Sequence, residues 1–198
     1  MSSYLKQKSL ENSQSSKLKN IIKAIQKRNF SEAINLVDIA LKKNSSDIDA
    51  LYLKAQALLE SSQHQAAKET FKTILLIKPN HLNSLMELAQ LEADDNNLTE
   101  AILLGEAALK LDCKNLQIKF FLIGTHVVKK EFEKARNLIQ EILKDEPNNE
   151  IALYLLAMSF FKENNHLDGY QYALEALKIN PKLKNLRLFL AEYYEKHE

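Results

Sequence analysis

The chain reads as an all-α protein of paired helices, and three observations predict this. Glycine and proline are scarce, three of each in 198 residues, too few for the turns of a β-rich fold. Proline stands at 79, 147 and 181, with gaps of 68 and 34 residues. A small residue returns in the same step at Ala33, Ala67, Ala101, Ala135 and Gly169. Recurrence at one fixed period of roughly 20–50 residues marks a stack of supersecondary units, each unable to bury its apolar face alone.

Residues 1–13 are rich in Ser, Gln and Lys and are expected to form a flexible tail. Five units then follow, at 14–47, 48–81, 82–115, 116–149 and 150–183. Their columns agree: the eighth position reads Ile21, Ala55, Ala89, Ile123 and Ala157, and the twenty-seventh Ala40, Ile74, Ala108, Ile142 and Ala176. Each unit should hold a helix A, a turn and an antiparallel helix B. Small residues at positions 8 and 20 let the two helices approach, and larger ones at 4, 7, 11 and 24 fill the surrounding space.

Turn composition falls between the helices, at Asp94–Asn97 and Glu163–Asn165. Ser31 and Thr99 are expected to cap the B helices that follow. The prolines come just after each B helix, where a missing N–H stops its continuation. Gly124 falls one place late in the fourth unit, and Lys119 stands where an apolar residue belongs. A one-residue shift of that A helix is therefore expected. Residues 184–198 form a lone A helix, with Leu186, Leu190, Ala191 and Tyr194 expected to face inward and a polar side outward. It would cap the stack, since a solenoid must cover its last apolar face.

A large apolar residue, a small one, a later alanine and a closing proline, repeated at 34 residues, resemble tetratricopeptide repeats. Ala152–Ala157 with Lys178–Pro181, and Ala67 and Phe71 with Pro79, carry the resemblance best. It covers residues 14–198 and implies a right-handed α-solenoid of five helix pairs plus a C-terminal capping helix. It also implies that the A helices line a concave surface that holds another polypeptide.

Composition bounds the function. Lys and Arg number 27 against 26 Asp and Glu, a net charge of +1, with no long-range pull toward nucleic acid or anionic membrane. A local excess of Lys6, Lys8, Lys17 and Lys19 faces a single Glu11. The longest near-apolar run, Ile151–Phe161, is 11 residues and too short to span a bilayer. Cys113 is the only cysteine, which excludes an internal disulfide and points to a reducing, cytoplasmic setting. There is no Gly-rich phosphate loop, no His-Glu-x-x-His and no cysteine pair. His64 and His166 share a repeat position with Phe30 and Phe132 and should pack at turns, while His81, His126 and His197 have no convergent partner in sequence. Asp94 and Asp95 are expected to be solvated. No catalytic residue, cofactor or metal is expected.

By the resemblance, positions 2, 5, 6, 9, 12 and 13 of the A helices face the concave surface. They give Tyr52, Met86, Phe120, Tyr154 and Leu188 at position 5, Gln56, Gln90 and Met158 at position 9, and Leu59 and Phe161 at position 12. Apolar and aromatic groups with a few amides suit an amphipathic helix or an extended apolar peptide. Co-chaperones of this family that grip the acidic tails of Hsp70 and Hsp90 carry Lys and Asn on successive A helices. The matching places here read Tyr52 and Gln56, then Glu87, then Gln117 and Phe121, so that basic clamp is missing.

The expected function is a non-catalytic adaptor or assembly scaffold with a protein partner and the capacity for homo-oligomers. The alternatives are the repeat arm of a larger enzyme, such as a glycosyltransferase or sulfotransferase, or a self-associating scaffold.

Overall fold

The computed structural model describes residues 18–197. The tail expected over residues 1–13 lies outside the described residues. The described part is helical throughout apart from short connections, and no strand occurs among the described residues. Two compact units divide the chain, Met1–Leu111 and Asp112–Glu198.

The first unit contains α1 (described over 18–26), α2 (Phe30–Leu41), α3 (Ile48–Glu60), α4 (His64–Ile77), α5 (Leu82–Asp94) and α6 (Leu98–Leu111). The second contains α7 (Leu116–Val128), α8 (Phe132–Asp145), α9 (Glu150–Lys162), α10 (His166–Ile179) and α11 (Lys184–His197). Odd-numbered helices are the A helices and even-numbered ones the B helices.

Small residues are buried where the columns require them. Ala55, Ala89 and Ala157 on the A helices and Ala33, Ala67, Ala101 and Ala135 on the B helices are wholly inaccessible. Large groups close around these contacts. In the first unit Leu51, Leu58, Phe71, Ile74, Leu88 and Leu91 pack together, and in the second Leu153, Phe161, Leu186 and Leu190 do so.

The A-to-B turns share one backbone device. Arg28, Ser62, Asn96, Lys130 and Asn164 all have φ between 57° and 63°, the left-handed region. Each allows two hydrogen bonds back into the preceding helix, as from Gln63 N to Leu58 O (2.8 Å) and from Ser62 N to Leu59 O (2.9 Å). This is the Schellman arrangement that satisfies terminal carbonyls. It is made here without glycine, which explains how so glycine-poor a chain still turns sharply.

Those turns move the caps. Ser31 and Thr99 lie inside α2 and α6 rather than ahead of them. Asn29, the residue after the left-handed one, caps α2 instead, its side chain accepting from Glu32 N. The B-to-A junctions behave as expected. Lys78, Glu146 and Asn180 are extended, each immediately before a proline whose ring disfavours the helical region for its predecessor.

The expected shift in the fourth unit does not occur. α7 begins at Leu116, in step with Ile48, Leu82 and Glu150 at intervals of 34. Lys119 occupies the place that Leu51, Leu85 and Leu153 fill elsewhere and is buried like them. Its ammonium reaches out to Glu141 on α8 at 3.0 Å, so the stem packs while the charge is paired. In α11, Leu186 and Leu190 are buried as expected, but Ala191 and Tyr194 are exposed and Phe189 and Tyr193 are half-buried instead. The helix turns its inward side toward α9 and α10, and Phe161 meets Phe189 and Tyr193 at ring distances of 4.9 and 5.2 Å.

Candidate functional site

Within each unit the A helices present a face, or wall, of partly buried side chains. In the first unit, Tyr52 stands on α3 between two rings, 6.0 Å from Phe71 and 5.5 Å from His81. His81 is held in turn by its own work. It caps α5, its Nδ1 accepting from Ser84 N at 3.3 Å and lying 2.8 Å from Ser84 Oγ. Burial lowers the His81 imidazole, Lys78 adds to that and Asp49 opposes it. A neutral ring keeps the lone pair that the cap requires.

Burial pushes the Tyr52 phenol up, and the Glu87 carboxylate pushes it further; a hydrogen bond with the Gln56 side chain opposes both. Tyr52, Gln56 and Glu87 therefore share one electrostatic neighbourhood. Leu59 and Met86 are half-buried, so each offers part of its side chain as surface. Gln90 is exposed and donates to Asp94 at 2.8 Å.

In the second unit, Phe120, Tyr154 and Met158 are half-buried and Leu188 is 61% exposed. Tyr154 borders a cleft of about 320 Å³ with Lys182, Leu183, Lys184, Asn185 and Leu186. Phe161, expected on this wall, is core instead. It is only 7% exposed, and its ring lies so close to Gly169 that a Cβ there would stand 3.0 Å from it. That contact also explains the glycine: the place that takes alanine in the other units must be bare here for the ring to lie down.

Gly124 presents the opposite case. A Cβ added there would meet nothing within 4 Å.

Polar groups outside the wall are paired internally. Asp95, exposed to solvent as expected, also accepts from Lys68 at 2.7 Å, and Lys68 meets the buried Glu92 at 2.9 Å. Burial works against the Lys68 ammonium, yet its bonds to Asp95 and Glu92 hold it above its ordinary value. Burial likewise works against the Glu92 carboxylate, but bonds from Asn97 and Lys68 hold it below. His126, buried on α7, lies 2.8 Å from Glu131, which Lys129 and Lys134 also approach.

His64 is exposed, and His166 packs against Phe161 and Tyr193. Cys113 is exposed. Among the described residues no group of three or more His, Cys, Asp or Glu could hold a metal ion. None of their helices is long and apolar enough to cross a membrane.

The family model for tetratricopeptide repeats matches residues 92–158, and that for subunit 3 of the anaphase-promoting complex, or cyclosome, matches 26–102. The chain is a tetratricopeptide-repeat protein. Its fold class is accordingly the all-α solenoid of that family. Among solved structures, this tetratricopeptide-repeat protein resembles YrrB, described as a TPR protein with an unusual peptide-binding site. The TM-score is 0.77 at 15% identity, over 94% of this chain and 97% of that one. It resembles MamA at 0.76 and 15% identity, over 86% and 93%. A MamA fragment from Desulfovibrio magneticus RS-1 gives 0.73 and 15%, over 84% and 97%. Likeness at such identity is one of fold. No curated protein matches the chain.

Sequence reasoning met Glu87 only as a place where the basic clamp is missing and did not foresee that it is half-buried. The signal was available. Position 6 of the A helices reads Leu53, Glu87, Phe121, Leu155 and Phe189 from the second unit onward, one acid in an apolar column.

Proposed function

We propose that this protein is a non-catalytic interaction scaffold that binds an extended peptide or amphipathic helix of a partner protein on its A-helix wall, and that it serves in assembly. The observation that carries the reading is the partial exposure of large side chains on that wall. Tyr52, Met86, Phe120, Tyr154 and Met158 are held by the core yet keep a face in water, and Leu188 is more exposed still. Apolar surface of this kind costs free energy until a partner covers it. Methionine adapts to varied shapes, and the half-buried rings supply rigid contacts of low entropic cost. The peptide-binding site ascribed to YrrB supports the reading by analogy of fold.

The test is affinity purification from the native cell with the wild-type chain and with Phe120→Ala/Tyr154→Ala. The variant should keep its helical circular dichroism and lose the partners that the wild type retains. An unchanged partner set in a folded variant would remove the wall of the second unit from the proposal.

Self-association is the second reading, and one patch favours it. Leu167 is 81% exposed and Leu174 39% on α10, where the other B helices carry Ser31, Gln65, Thr99 and Glu133, then Asp38, Lys72, Glu106 and Gln140. Tyr170 and Tyr194 extend the patch, their rings 5.8 Å apart. Light scattering over a range of concentrations should show a dimer that Leu167→Ser dissociates; a monomer throughout would dismiss it.

A further inference from the structure

Resting on the peptide-binding reading above, the structure assigns a further role to the first unit's wall: we propose that Glu87, with Gln56 and Tyr52, receives a lysine or arginine side chain of the bound segment.

Three observations converge on this. The first is register. Glu87 occupies a position on α5 that is apolar and half-buried on its neighbours, as Leu53, Phe121, Leu155 and Phe189 show, and Glu87 is half-buried too. An acid at such a place loses part of its hydration without gaining a packing contact of equal value.

The second is pairing. Two other acids of the first unit that lose hydration against a neighbouring helix have an internal cation. Asp38 meets Lys54 at 2.7 Å and Glu92 meets Lys68 at 2.9 Å. Among the described residues no basic side chain stands within 4.0 Å of Glu87. Burial accordingly holds its carboxyl above the ordinary carboxylate range, with no nearby positive charge to pull it back.

The third is surroundings. Tyr52 and Gln56 on α3 share the Glu87 neighbourhood and offer a ring and an amide oxygen, both suited to a cation. Asp49 near His81 adds negative potential on the same helix, against Lys78. A lysine or arginine of the ligand would supply the counter-charge, with the aliphatic stem lying on Met86 or Leu59. The preference is opposite in sign to the basic clamp that this chain lacks.

The probe is a phage-displayed library of random peptides panned on the full chain, followed by fluorescence anisotropy of one enriched peptide. The enriched sequences should share a Lys or Arg at one place relative to their apolar residues. Replacing it with norleucine should weaken binding to the wild type roughly tenfold. The Glu87→Gln chain should bind both peptides alike and unfold at the same denaturant concentration or higher, since it loses no internal ion pair. Equal loss in both chains, or no basic residue among the selected peptides, would overturn the proposal. Tyr52→Ala/Met86→Ala separates the two readings. If it abolishes binding while Glu87→Gln has no effect, the wall binds peptide without the charge preference. If it leaves affinity intact, or if panning yields no binder, the wall itself is not the site and both readings fall.

Discussion

The two units join successive repeats at the same register and with different chemistry. In the first, Lys68 on α4 reaches Glu92 on α5, both almost inaccessible, with Asp95 and Asn97 completing the set. In the second, Arg136 on α8 meets the same two places on the next repeat. Its guanidinium lies 5.0 Å over the Phe160 ring and bonds the Glu163 carboxylate. Phe160 stands where Glu92 does, and stacks on Tyr172 at 5.6 Å. The repeat determines which positions face each other. It leaves open whether a buried ion pair or a ring beneath a cation joins them.

The walls differ in the same sense. The first unit presents Tyr52, Gln56, Glu87 and Gln90, acidic and rich in amides. The second presents Phe120, Tyr154, Met158 and Leu188, with Lys182 and Lys184 at the edge of its cleft.

If a buried ion pair really distinguishes the first unit, breaking it should cost most. Lys68→Met leaves Glu92 buried with no cation and only the Asn97 amide bonded to it, and should destabilise the chain by about 3–5 kcal/mol in urea unfolding. Adding Glu92→Leu should recover most of that loss. In the second unit Arg136→Met should cost much less, because the Arg136 and Glu163 side chains retain more contact with water.

Next in size is Gly169→Ala. Helix propensity favours alanine by about 1 kcal/mol. The Phe161 ring 3.0 Å from the added methyl should reverse the sign, for a net loss of about 1–3 kcal/mol. Gly124→Ala sharpens this as its control. It has open space around the new methyl and should raise stability by up to about 1 kcal/mol, seen as a later denaturation midpoint.

The smallest effect concerns acid. The hydrogen bond from His126, aided by Lys129 and Lys134, holds the Glu131 carboxyl at about 2, below its ordinary 4.5. A carboxyl depressed by folding contributes stability that is complete above its unfolded value and is lost as pH falls toward the folded one. That contribution should therefore fade between about pH 4.5 and 2. Carboxyl NMR should place the Glu131 midpoint near 2 and move it upward in His126→Gln.

Helix order, the 34-residue step and the buried small residues were all legible in the sequence, because each follows from a local rule repeated many times. The groove residues were legible as columns, but their exposure was not. Phe161 and Met158 both lie at expected groove positions on α9, yet one is core and the other half-buried. Phe161 lies against Gly169 on α10 and against Phe189 and Tyr193 on α11, contacts that no single column of the repeat records.

By itself, then, the sequence determined the class of fold, the length of each repeat and the places where helices touch. Periodic burial is a property of one helix and can be read along it. Only the tertiary structure decided that Lys119 keeps its register by pairing with Glu141, that left-handed Ser, Asn, Lys and Arg residues make the turns, and that Glu87 stands half-buried without a cation. Each of those depends on what a neighbouring helix or a turn supplies in space, and pairing across space leaves no periodic mark on the chain.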